Sequence, residues 1–309
     1  MCLRSIKLLP LIAALFALYI IWGSTYFAIA IGVQSWPPLT MAGVRFTLAG
    51  TVLITLLLLS GHKLPSLRPL LNAALLGMLL LAVGNGLVTV AEYQHVPSGI
   101  AAVMVATVPL FSLCFSHFFG IKTRKLEWLG IAVGLAGIVL LNSGGNLSGN
   151  TSGAILILLG SVSWAFGSVY GSRIELPTGL MAGAIEMLTA GVVLLSAAGL
   201  SGERLTSMPD TAGLLALAYL ILFGSIVAIS AYMYLIRNVT PAIATSYAYV
   251  NPVVAVLLGT GFAGESLSPV EWLALGTIIF AVILVTLGKY LFPDKATTTA
   301  VINNTLSKS

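Results

Sequence analysis

A chain of 309 residues in which 58% are apolar and only 7% charged cannot dress a soluble core, whose surface ordinarily takes roughly a quarter of its residues as charged ones. The formal net charge of +5 does not indicate nucleic acid, because the basic residues stand singly between apolar runs, a distribution that reports membrane topology. The two cysteines, Cys2 and Cys114, are far apart, without metal-ligand or redox spacing, and Cys114 reads as a small apolar residue of a membrane helix.

A hydrocarbon layer of about 30 Å needs roughly 20 apolar residues per helix, and ten such stretches follow one another. Residues 1–7 are basic and lead into the first, 9–31, which is too long for a signal-peptide core and reads as a retained span carrying Trp22-Gly23-Ser24-Thr25-Tyr26. The second, 37–60, opens on Pro37-Pro38 and holds Arg45; the third, 68–91, holds Asn85 between two glycines. The fourth, 97–119, is interrupted by Pro109, and the fifth covers 126–142. An uncharged Asn/Gly/Ser link leads to the sixth, 152–172, whose Trp164-Ala165-Phe166-Gly167-Ser168 loosely copies the first span's cluster. The seventh, 180–200, carries Glu186, and the eighth covers 211–235. The ninth, 241–263, carries Ser246-Tyr247-Ala248-Tyr249-Val250-Asn251-Pro252; the tenth covers 268–290, and the polar tail 291–309 is expected to be disordered. Spans this apolar must satisfy their backbone internally, so they are helices, and no segment alternates with the period of a barrel strand.

Orientation follows from the basic residues. With the N-terminus in the cytoplasm, twelve of the fourteen Lys and Arg fall on the cytoplasmic side and only Arg204 on the outer side, Arg45 lying within a span. Acidic residues lean outward, among them Glu92, Glu203, Asp210, Glu265 and Glu271. The chain also repeats itself. Residues 96–142 overlay 239–286 with one added residue: Pro109 meets Pro252, and Glu127-Trp128-Leu129 meets Glu271-Trp272-Leu273. Five spans per half is an odd number, so the second half enters the membrane from the opposite face. The expected fold is therefore an all-α membrane protein of ten transmembrane helices, arranged as two inverted five-helix repeats, 9–142 and 152–290, with both termini cytoplasmic.

Arg45 and Glu186 occupy equivalent places when Gly50 is laid on Gly191. An ionisable group within a span costs at least about 2.5–3.5 kcal/mol and faces a cavity or a partner. Either each snorkels or packs locally, or they line a substrate route, with Glu186 also able to carry a proton. Inversion puts them at different depths, which argues against a direct ion pair. The mid-span aromatics Trp22, Trp164 and Tyr247, with Asn251, suit the wall of a ligand cavity or the close helix packing that neighbouring Gly and Ser allow. Asn85 bonds either a neighbouring helix or substrate. Pro109 and Pro252 each free a helical carbonyl and kink the helix, for gating or for packing alone. No catalytic constellation, metal site or phosphate-binding loop is present in the sequence.

Ten helices in two inverted repeats, with Trp22-Gly23-Ser24, Arg45 and Gly264-Glu265-Ser266-Leu267 in this order, resemble the EamA family of the drug/metabolite transporter superfamily over nearly the whole chain. The family's Gly-Glu after span 4 is here Gly120-Ile121-Lys122, so Glu265 has no counterpart in the first half; capping a helix is its simpler role. The resemblance implies a multi-pass transporter of the bacterial inner membrane, not an enzyme, without cofactor or metal. Its partners would be the lipid bilayer, a small-molecule substrate and protons. It implies export of small metabolites or amphiphilic compounds by alternating access around a midplane cavity, against which stand an uncoupled facilitator and a non-transporting scaffold. Trp22, Asn85, Trp164, Tyr247 and Asn251 are the candidate substrate-binding residues, Arg45 and Glu186 the candidates for charge recognition or proton coupling, and Pro109 and Pro252 for kinking or gating.

Overall fold

The computed structural model describes residues 8–121, 123, 125–145, 150–238 and 246–291. The expected tail after 291, and the cationic residues Arg4, Lys7, Lys122, Arg124, Lys295 and Lys308 used for orientation, lie outside them. The described regular structure is helical throughout. We number the helices α1 (Leu8–Gly32), α2 (Pro38–Leu59), α3 (Leu67–Tyr93), α4 (Ser98–Phe118), α5 (Lys125–Asn142), α6 (Thr151–Gly171), α7 (Leu180–Ser201), α8 (Thr211–Leu235), α9 (Tyr247–Phe262) and α10 (Pro269–Leu291). Among the described residues, α1 to α8 are the 8 helices long and apolar enough to cross a membrane, and Tyr247–Phe262 of α9 and Pro269–Val285 of α10 are shorter apolar stretches.

Two helices are not regular. Within α3 the stretch Gly77–Asn85, and within α8 the stretch Leu220–Val227, are wound as π-helix. This wider turn is rare and is frequent at functional sites. The two stretches sit in corresponding helices of the two halves. Pro109 follows a break in α4 at Ala106 and Thr107, where the Thr107 amide bonds the Met104 carbonyl at 3.1 Å. Its counterpart Pro252 lies inside an unbroken α9. The same residue type at matched places thus interrupts one helix and not the other.

Packing follows the repeat. α2 lies along α7 and α5 along α10; α1 lies on α9 and, correspondingly, α6 on α4. Small residues permit the closest approach, since van der Waals packing is the main force between helices in lipid. A Cβ on Gly50 would stand 2.5 Å from the Leu188 amide nitrogen and 3.0 Å from the Ala184 carbonyl oxygen, so nothing larger than glycine fits without moving α7. Gly50→Ala is expected to destabilise the protein by about 1–3 kcal/mol through overpacking, read as a lower melting temperature in detergent. The control Gly199→Ala, with nothing within 4 Å of the added carbon, should leave it unchanged.

At one end of the bundle the helices that start there are capped by acceptor side chains. Glu203, just after α7, takes the Leu39 and Thr40 amides of α2 at 3.1 and 2.8 Å. Glu265, just after α9, takes the Ser98 and Gly99 amides of α4 at 2.7 and 3.0 Å and the Ser98 hydroxyl at 2.6 Å. Asn150 caps α6 through Gly153, and Asp210 caps α8 through Gly213 while accepting from Ser35 at the end of α1. Glu271 and Ser268 bond each other reciprocally at the start of α10, a capping box. Acidic residues gather here because exposed helix amides and the positive end of the helix dipole favour them. The opposite end is tied differently: Asn72 donates to the Glu175 carbonyl at 2.9 Å, and exposed Arg173 donates to the Phe119 carbonyl at 3.1 Å while lying over the Phe119 ring.

Candidate functional site

The two π-helical stretches meet at Arg45. Only 4% exposed, the guanidinium reaches from α2 to both halves. Its Nε donates to Ser225 Oγ at 3.0 Å and its Nη2 to the Gly224 carbonyl at 3.3 Å, both in the α8 stretch. Its Nη1 donates to Asn85 Oδ1, the last residue of the α3 stretch, at 3.4 Å. The cation also lies 4.7 Å from the Phe46 ring centroid. No carboxylate pairs with it among the described residues. A buried cation held only by neutral acceptors leaves the site net positive, which suits an anionic group on a ligand.

Asn85, left open in the sequence between a helix partner and substrate, therefore bonds a helix partner in this structure. Trp164 of α6 packs on the neighbouring Gly84: its ring carbon lies 3.0 Å from where a Cβ there would stand, so a larger residue would have to push the ring aside by a few tenths of an ångström. Trp22 and Tyr247 form a second group with Tyr232 of α8. Trp22 meets Tyr247 edge-on with ring centroids 4.9 Å apart and Tyr232 at 5.5 Å, and the two tyrosines are 6.1 Å apart. The two groups join through Thr25, whose methyl lies against Gly224 and whose hydroxyl bonds the Trp22 carbonyl at 2.6 Å. Asn251, 7% exposed, leaves its amide oxygen without a hydrogen-bond partner, so it has capacity for a donor.

Glu186 sits apart from Arg45, as inversion implies. Its backbone packs on Gly77, the opposite end of the α3 π-stretch from Asn85. The two intramembrane charges thus contact opposite ends of that stretch, and no ion pair joins them among the described residues. Glu186 lies instead within electrostatic range of Tyr232. Removing the aromatic wall has a direct test: Trp22→Ala, at a half-buried ring, is expected to cost about 1–3 kcal/mol through lost packing, lowering the detergent melting temperature, while Trp22→Phe recovers most of it.

Three participants carried little sequence signal. Tyr232 lay in a helix with no marked motif. Gly224-Ser225 echoes Gly84-Asn85 as a glycine followed by a polar residue, and laying α3 on α8 would have exposed it. Glu92 was counted only as a topological acid, yet it is 4% exposed and both its carboxylate oxygens lack hydrogen-bond partners.

The EamA-like transporter family matches the chain twice, over residues 9–143 and 151–287. The chain is 74% identical over 306 residues, 99% of its own length and 100% of the other's, to a protein of Escherichia coli strain K12 named "Uncharacterized inner membrane transporter YedA". It is 28% identical to Protein PecM of Dickeya dadantii, covering 86% of this chain and 88% of that one. A solved crystal structure at 21% identity superposes with a TM-score of 0.63 over 90% of this chain and 96% of the other, which shows a shared fold.

Proposed function

This chain belongs to the EamA-like transporter family, and from that membership, which makes it a multi-pass transporter of the inner membrane, we propose that it is a secondary exporter of small metabolites or amphiphilic compounds. The repeats 9–142 and 152–290 are taken as inverted halves with both termini cytoplasmic. The acid-capped end then faces outward, in keeping with Arg204 alone among the Lys and Arg lying beyond the spans on that side. The halves rock about a midplane site, and the irregular backbone of the two π-stretches is tolerated in the membrane because it lines that site.

The observation that carries the reading is Arg45, a buried cation bonded to both π-stretches and lacking a carboxylate partner among the described residues. It supports a substrate bearing an anionic group, with Trp22, Trp164 and Tyr247 receiving the apolar part, Asn85 and Asn251 its polar groups, and Pro109 and Pro252 the bending. Glu186, on the cytoplasmic side of the site, is the candidate for proton exchange. Purified protein in liposomes should move at least one member of a panel of amino acids, nucleosides and cationic drugs, with carboxylate-bearing compounds preferred, and a pH gradient should change the rate. Absence of flux for every compound, together with wild-type behaviour of Arg45→Ala and Glu186→Gln in cells, would remove the transporter reading; a rate indifferent to the pH gradient would leave an uncoupled facilitator.

A further inference from the structure

Glu92 is a carboxylate for which the fold supplies no bond. It lies in the last turn of α3, beside the acid-capped end, buried to 4% exposure with both oxygens unpartnered. Among the described residues no cation bonds it; His95, three residues on, is exposed, and its amide bonds the Glu92 carbonyl at 2.9 Å. From α1 the phenol of Tyr26 is within electrostatic range, and from the turn after α9 so is Glu265. From α2 comes Arg45, two turns deeper and engaged with Asn85. The adjoining turns of α4 and α6 carry no titratable side chain. Glu265 accepts three hydrogen bonds from Ser98 and Gly99 at the start of α4, the environment of an ionised carboxylate.

A second bare carboxylate within electrostatic range of that one, with no donor from the described residues, is a costly arrangement for a buried group. A proton removes the cost and needs no coordination shell. A metal ion would need several oxygen ligands, which the described neighbours do not supply.

We propose that Glu92 is a proton-binding site at the outer end of the transporter, carrying its proton while the α4 start is held by Glu265 and exchanging it with the outside when that contact opens. Glu92 then stands on the outer side of the midplane site and Glu186 on the inner side, one carboxyl for each face. The consequence for coupling rests on the transporter reading; the site itself does not.

Infrared difference spectra of the full-length protein in lipid nanodiscs, wild type minus Glu92→Gln at neutral pH, test it. The expected result is a protonated-carboxyl carbonyl band in the wild type that shifts in heavy water and is lost in Glu92→Gln, whose elution and melting temperature stay as in wild type because the amide nearly matches the neutral acid in shape. Should Glu92→Gln not fold, Glu92→Asp serves, since it keeps an acid and must displace the band. A difference spectrum containing only carboxylate stretching bands would overturn the proposal, and so would a protonated band that disappears on adding sodium, which would make the site a cation site. No substrate enters the measurement, so a failed flux panel leaves this result standing, and the reverse.

Discussion

Arg45→Ala is expected to lower transport about a hundredfold or more while leaving the protein folded and only modestly less stable. Two opposing terms set the stability. Losing the guanidinium strands Ser225 Oγ, Asn85 Oδ1 and the Gly224 carbonyl, and each stranded buried group costs about 1–3 kcal/mol. The same change removes a cation whose placement within a span costs at least about 2.5–3.5 kcal/mol. The second term cancels part of the first, and the helices α2, α3 and α8 keep their apolar packing. Transport has no such cancellation. An anionic substrate group would lose charge-assisted bonds worth about 1.5–3 kcal/mol each, and each 1.4 kcal/mol is tenfold. Arg45→Lys separates charge from geometry: the ammonium keeps the charge but cannot bond in the three directions the planar guanidinium spans. Its expected rate lies between those of alanine and wild type. The paired measurements are flux in liposomes and melting in detergent. Loss of transport that merely tracks loss of folded protein across both variants would make Arg45 a structural brace.

The fold was readable where the physics is local. An apolar run of about 20 residues is a property of a short window, so the limits of α1, α2, α5, α6 and α7 expected from hydropathy fall within about three residues of the observed helices. Arg45, Asn85 and Trp164 could be marked because polar and aromatic groups are conspicuous inside apolar runs, although nothing in the sequence said that Arg45 would bond Asn85 or that Trp164 would pack on the neighbouring Gly84. The π-stretches were not legible: a wider turn replaces one backbone register by another and leaves no periodic trace in side-chain type. Glu92 was missed for a different reason. Its chemistry depends on what does not face it, and an absent partner is a property of the packed molecule. Glu265 shows the converse. Its position after Gly264, which takes a left-handed φ of 66°, suggested a local cap, yet the helix it caps belongs to the other half of the chain.

That cross-half capping leads to the second large expected effect. Replacing both Glu203 and Glu265 by alanine should shift the protein toward an outward-open form by about one to three powers of ten. Each carboxylate follows a second-half helix, α7 or α9, and takes two amides in the first turn of a first-half helix, α2 or α4. Glu265 reaches its amides through a notch at Gly99 and Gly259 that larger side chains would fill. A cap is typically worth about 1 kcal/mol and the helix-dipole term about 0.3–1 kcal/mol, so two together hold about 2.6–4 kcal/mol that is released when the halves part on this side. The bonds at the opposite end are exposed or made between neutral groups, and lose less on opening. In a background with Cys2 and Cys114 replaced by serine, Thr89→Cys places a thiol at a site 1% exposed beside the acid-capped end. Its labelling in intact cells by a membrane-impermeant thiol reagent is expected to rise more than tenfold in the double variant and by a smaller factor in each single one. An unchanged rate, with the double variant merely melting earlier, would mean the carboxylates staple helices without gating. A rise seen only in inverted vesicles would place the acid-capped end inside. Because α4 cannot keep Glu265 at its start once the halves separate, the opening that this experiment measures is also the event that would let water, and a proton from outside, reach Glu92.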